Sequence, residues 1–216
     1  MSNFRFTRPE AFPPVIKNLI IINVLVWVAQ LMYDNSYQLT LKLALYPFEV
    51  QEFNPYQLVT HMFAHATLNQ YGHIEFMHIF FNMLVLWMFG RMLEVIWGSK
   101  RFLIFYMACG IGAGIAHLLM QHFTHNYAIA IGASGAVMGV MVAFAFLFPN
   151  TELMLMFLQV PIKAKWLILI LVAADLFGGF NKSPTDNIAH FAHIGGAITG
   201  FIIVYIWNKT NRKTLY

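Results

Sequence analysis

Four polar side chains stand out in an otherwise apolar sequence: Ser134, His193, His78 and Asn82. Ser134 lies in Gly132-Ala133-Ser134-Gly135-Ala136, with Gly139 one turn on, and His193 lies in Ala192-His193-Ile194-Gly195-Gly196, with Gly200 beyond it. A hydroxyl beside an imidazole pairs a nucleophile with its general base. His78 and Asn82 are spaced i, i+4, which puts both on one face of a helix. Side chains of these two types can donate to the oxyanion of acyl transfer, a role worth about 3 to 4 kcal/mol per donor. Such residues cost a few kcal/mol each inside a bilayer and so default to functional candidates. The glycine, alanine and serine strings also have a packing reading, because small residues let membrane helices approach closely, and a lone histidine can simply bond one helix to another. Here the two readings require each other. Two small faces must meet before a short serine side chain can reach an imidazole.

The elements that would position these groups follow from composition. The chain is 59% hydrophobic and 10% charged over 216 residues, where a soluble domain carries about 25% charged residues. Six apolar blocks have roughly the length needed to cross ~30 Å of hydrocarbon: Val15 to Tyr33, His78 to Trp97, Phe102 to Phe123, Ala128 to Phe148, Ala164 to Phe180 and Ile188 to Trp207. Pro161, Lys163 and Lys165 leave the start of the fifth open. The blocks are too long for membrane-barrel strands and lack their alternation. The expected fold is all-α, a polytopic bundle of six transmembrane helices over residues 15–207, with tails at 1–14 and 208–216 and the first block retained as a span. Cys109 stands alone, which excludes an internal disulfide or a multi-cysteine metal site. The net charge of +4 points to topology, not to nucleic acid. Arg5, Arg8, Lys17, Arg91, Lys100, Arg101, Lys163, Lys165, Lys209, Arg212 and Lys213 share one side, against Lys42 and Lys182 on the other. This bias predicts cytoplasmic termini for a multi-pass protein of the cell membrane.

With that topology the second, fourth and sixth helices begin at the external face. Ser134 follows Ala128 by six residues and His193 follows Ile188 by five, so both are expected roughly 8 to 9 Å below the surface. No acidic residue is expected at the matching depth on these three helices to orient His193: Asp186 lies just outside the sixth helix, and Asp175 and Glu94 lie elsewhere or toward the cytoplasm. The expected unit is therefore a Ser–His dyad, and a slow enzyme. His190 lies one turn nearer the external water than His193, which makes His193 the expected base. The long connection between Tyr33 and Ile74 includes Leu58-Val59-Thr60-His61-Met62-Phe63-Ala64-His65, too apolar for a solvated loop. It is expected to be structured and to lie partly among lipid headgroups.

In combination, His78-Ile79-Phe80-Phe81-Asn82, Gly90-Arg91-Met92-Leu93-Glu94 with Gly98 and Arg101, Tyr106, and the Ser134 and His193 strings resemble the rhomboid intramembrane proteases, from about Asn18 to Trp207. The resemblance implies Ser134 and His193 as catalytic dyad, His78 and Asn82 lining the oxyanion site, and transmembrane segments of other membrane proteins, cut near their outer ends, as substrates. It also implies that neither metal nor organic cofactor is needed. Three features depart from the bacterial pattern: Tyr56-Gln57 where Trp-Arg is common, a longer stretch from His65 to His78, and Met138 where an aromatic often packs on the catalytic histidine. Two other readings stay open. One is a rhomboid-like protein that binds transmembrane clients without cutting them. The other is a metal or haem membrane protein using His61, His65, His73, His78, His190 and His193.

Overall fold

A computed structural model describes residues 12–69, 71–125, 127–155, 158–180 and 190–210. Four stretches of helix are long and apolar enough to cross a membrane. These are α1 (Pro14–Tyr37), the continuous run Phe76–Trp97, α6 (Ser99–Thr124) and α9 (His190–Thr210). The second comprises α4 (Phe76–Val85), a π turn (Leu86–Gly90) and α5 (Arg91–Trp97). Two shorter helices complete the bundle, α7 (Ser134–Leu147) and α8 (Ala164–Phe180). The chain is thus a helical, multi-pass membrane bundle.

The fourth apolar block differs from expectation. Its helix begins at Ser134, six residues later than Ala128, and spans 14 residues, or ~21 Å, less than the hydrocarbon thickness. Residues 127–133 instead run without helix, which is tolerated at membrane depth only where backbone groups are satisfied by protein. Several of them are met here. Ala130 exchanges both backbone hydrogen bonds with Leu45 at 2.9 and 3.0 Å, and the Gly132 N–H donates to the His61 carbonyl at 2.8 Å. The Ala128 carbonyl is met by His117 and Gln121 of α6. α7 itself is buried along most of its length, from Gly135 through Ala145.

Small residues explain how α7 can be so enclosed. A Cβ on Gly196 of α9 would run into the Gly135 carbonyl oxygen, and one on Gly200 would stand 2.7 Å from the Gly139 Cα. On the other flank a Cβ on Gly139 would stand 2.5 Å from the Cys109 Sγ of α6. The backbones of α7 and α9 touch, as the two small faces predicted.

The fifth block begins at Ala164, directly after an antiparallel hairpin of β1 (Glu152–Leu155) and β2 (Leu158–Lys163). The all-helical expectation thus holds for the spans and misses this small sheet. Pro161 is tolerated because a two-stranded sheet has two edges. Glu94, 2% exposed, accepts the backbone N–H groups of Val15 and Ile16 at 2.9 and 2.8 Å and the Ser99 hydroxyl at 2.7 Å. Its carboxylate caps the start of α1, satisfying donors that a helix leaves unpaired, and joins the first span to the second.

The connection after α1 is structured, with α2 (Leu39–Leu43) and α3 (Gln57–Thr60). Gln57, 2% exposed, accepts the N–H groups of Tyr46 and Asn54 at 3.3 and 3.2 Å and donates to the Glu52 carbonyl at 2.9 Å. Of the Tyr56-Gln57 pair, the glutamine therefore fastens the loop from within while Tyr56 faces outward. Gln30 of α1 donates to the His65 carbonyl and accepts from its N–H, each at 3.1 Å, and Trp27 donates to the Ala66 carbonyl at 3.0 Å. These bonds set the depth of the segment that leads to His78.

Candidate active site

Ser134 is the first residue of α7, half-buried. The first N–H groups of a helix lack intrahelical partners and carry the positive end of its dipole. His193, on the first described turn of α9, places Nε2 2.8 Å from the Ser134 Oγ, the separation of a proton donor from its acceptor. Close contact of α7 with α9 through Gly135 and Gly196 makes this possible.

The opposite ring nitrogen of His193 corrects one expectation. Its Nδ1 lies 2.9 Å from Oδ1 of Asp175 on α8, and His190 Nδ1 lies 2.8 Å from the same oxygen. An acidic residue thus reaches the imidazole after all. The side chains of His190 and Asp175 are 13% exposed and that of His193 16%, so water access does not separate the two histidines as their spacing suggested. Asp175 lies off the three helices whose outer ends set the depth of His78, Ser134 and His193. On a helix running the other way, depth counts from its far end. Asp175 is five residues before Phe180, which is ~7.5 Å from that end.

His78 meets the site from α4. The Ala66 N–H donates to His78 Nδ1 at 3.1 Å, so that nitrogen holds the lone pair and Nε2 carries the proton. Gly132, at φ +120°, leaves open the space that Nε2 faces: a Cβ there would stand 2.9 Å from His78 Nε2 and 3.7 Å from the Ser134 Oγ. A donor and the hydroxyl therefore border one small gap. Asn82, 7% exposed, uses one amide hydrogen on the His78 carbonyl at 2.8 Å, which leaves its second. A recess lined by His61, Gly132, Ser134, Gly135 and Ala192 opens beside the hydroxyl. Met138 is buried in the core. Asp186 and Ile188 fall outside the described residues.

Two buried histidines of the connecting segment form one wall. His61 donates through Nδ1 to the Gln57 carbonyl at 2.7 Å, and the His65 ring packs edge-on against His78 with centroids 5.2 Å apart. Burial lowers the pKa of His61 to about 4 despite the Gln57 carbonyl, and burial, with His78 beside it, lowers that of His65 to about 3. Both rings are neutral at pH 7. The unfolded chain binds protons near 6.5 that the folded chain refuses, so this stability is present above pH 6.5 and lost as pH falls toward 4 and 3. The melting temperature in detergent is expected to drop between pH 7 and pH 4. His65→Leu should flatten that slope, since it removes a ring that burial keeps from taking up a proton. Equal slopes for parent and variant would assign the acid sensitivity to other groups.

Among the described residues, no three His, Cys, Asp or Glu side chains group as metal ligands would. His73 is exposed on the loop that leads to α4.

Residues 52–210 match the family model described as Rhomboid domain. Among curated proteins the chain is 34% identical over 130 residues to the rhomboid protease GluP of Bacillus subtilis, covering 60% of this chain and 23% of that protein. It is 32% identical over 139 residues to the mitochondrial rhomboid protein 1 of Saccharomyces cerevisiae, covering 63% and 39%. It is 31% identical over 154 residues to the mitochondrial presenilin-associated rhomboid-like protein of Rattus norvegicus, covering 68% and 40%. The chain thus spans two fifths or less of the length of these relatives. A match over most of its length, in a helical membrane bundle that carries the expected motifs in order, makes this chain a member of the rhomboid family.

Proposed function

We propose that this protein is an intramembrane serine endopeptidase that cleaves transmembrane segments of other membrane proteins near their extracytoplasmic ends, with Ser134 as nucleophile and His193 as base. The observation that carries the reading is the 2.8 Å contact between the Ser134 Oγ and His193 Nε2 at the start of a buried helix. As Oγ attacks the scissile carbonyl, His193 takes its proton and later delivers it to the leaving amine. The carbonyl oxygen becomes an oxyanion beside the His78 Nε2–H, the second amide hydrogen of Asn82 and the first N–H groups of α7. Water then hydrolyses the acyl-enzyme by the reverse proton route. None of these steps calls for a metal or organic cofactor.

The name of the Bacillus subtilis relative supports proteolysis, and the bilayer supplies the substrate class: a site opening within a membrane bundle meets other spans. Six spans with both termini cytoplasmic, in a cell membrane, remain the reading of the basic residues. Two relatives carry mitochondrial names, and that location is theirs.

The test is cleavage of a generic single-span substrate by purified protein in liposomes. A fluorophosphonate should stop cleavage and label Ser134, while phenanthroline should leave the rate unchanged. Loss of activity to the chelator with restoration by zinc, and no labelling, would overturn the serine mechanism in favour of a metal.

A further inference from the structure

Asp175 is the one acidic residue in α8, Ala164–Phe180. An acid inside an apolar helix costs a few kcal/mol unless it is partnered, and its partners here are two imidazoles of the neighbouring helix. We propose that Asp175 is a positioning residue for proteolysis: its carboxylate holds His193 with Nδ1 protonated and Nε2 aimed at Ser134, while His190 steadies the same oxygen from the other side. The proposal rests on the serine reading above and deepens it from two residues to a relay on three helices, α7, α8 and α9.

Three observations carry it. First, a neutral imidazole has one donor and one acceptor nitrogen. An acceptor at Nδ1 leaves the lone pair at Nε2, where the serine proton must go, and a carboxylate also stabilises the imidazolium that forms during the transfer. Secondly, α8 comes close to α9 beside Asp175. A Cβ on Gly178 would stand 2.5 to 2.9 Å from the His190 ring, and one on Gly179 would stand 3.0 to 3.3 Å from the Phe191 ring. Asp175-Leu176-Phe177-Gly178-Gly179 thus combines an acid with the small residues that bring it into reach. Thirdly, a tie between helices alone would be complete with His190. It would not account for a second bond made to the nitrogen opposite the serine contact.

The experiment compares full-length parent, Asp175→Asn, Asp175→Glu and His190→Gln in detergent. It reads the rate at which a small fluorophosphonate labels Ser134, kcat and KM on a single-span substrate, and melting temperature. Labelling by a small soluble probe needs an activated serine but no docking of a transmembrane segment, so it separates positioning of the base from packing of α8. Asp175→Asn is expected to slow labelling and kcat together by about 100- to 1,000-fold, with KM changed by less than about threefold. Asp175→Glu should recover part of the loss, and His190→Gln should cost less than about tenfold. Labelling of Asp175→Asn at the parent's rate would overturn the proposal while leaving the serine reading intact. A parent that does not label at Ser134 would instead remove the serine reading and the proposal with it. Should Asp175→Asn lose its fold, the nitrogen-15 spectrum of histidine-labelled parent decides: His193 protonated at Nδ1 is required, and a neutral ring protonated at Nε2 would overturn the assignment.

Discussion

Replacing Ser134 with alanine is expected to abolish cleavage of a transmembrane substrate without unfolding the protein. Removing the nucleophile from a complete serine machinery costs on the order of 10⁶ in kcat, which leaves no residual turnover for a gel to read. The fold should tolerate the change. Ser134 opens α7 without a side-chain cap of its own helix, the Oγ contact to His193 is between half-buried groups, and alanine suits a helix better than serine does. Gly135 and Gly139, which admit α9, are untouched. The comparison is gel-based cleavage at equal concentrations of folded protein, with melting temperatures alongside. Cleavage by the variant at the parent's rate would end the reading of Ser134 as nucleophile.

The parts of this architecture that could be read from sequence are those governed by bilayer thickness and by small residues. Five of the six apolar blocks match helices closely, and the fifth begins at Ala164, one of the two starts left open by Pro161, Lys163 and Lys165. The start of α7 was not legible, because hydropathy measures how apolar a segment is and not whether it is helical. Ala128-Ile129-Ala130-Ile131 reads as membrane-spanning, yet its backbone is bonded to Leu45 and to the polar pair His117 and Gln121, and the Gly132 N–H that follows is bonded to the His61 carbonyl. The signals were Gly132, a residue suited to positive φ, and a histidine and a glutamine at i, i+4 in α6. The small-residue faces of α7 and α9 were legible as a contact, since close approach has few other solutions in lipid. Asp175 reads from the sequence as an acid lying away from the site, because it belongs to none of the three helices that begin outside. The buried Glu94 had a different task, as the cap of α1. Two intramembrane acids of similar appearance thus divide between site and scaffold, and the distinction lies in their partners.

The choice of base between the two histidines of α9 carries the second large effect. His190 and His193 are three residues apart, share a helix face, bond the same Asp175 oxygen and are comparably shielded. What separates them is the far nitrogen: His193 Nε2 lies 2.8 Å from the Ser134 Oγ. His193→Ala is therefore expected to lower turnover by about 10⁴-fold or more. His190 cannot take over, because one turn along α9 displaces its ring by about 4.5 Å, beyond hydrogen-bond reach of the serine. His190→Ala should keep a measurable fraction of activity, since His193 retains both serine and carboxylate, and should act mainly on stability through the lost tie to α8. The decisive measurement is turnover of the two alanine variants on one substrate at matched folded protein. An active His193→Ala enzyme beside an inactive His190→Ala one would reverse the assignment and move the reacting centre one turn toward the membrane surface.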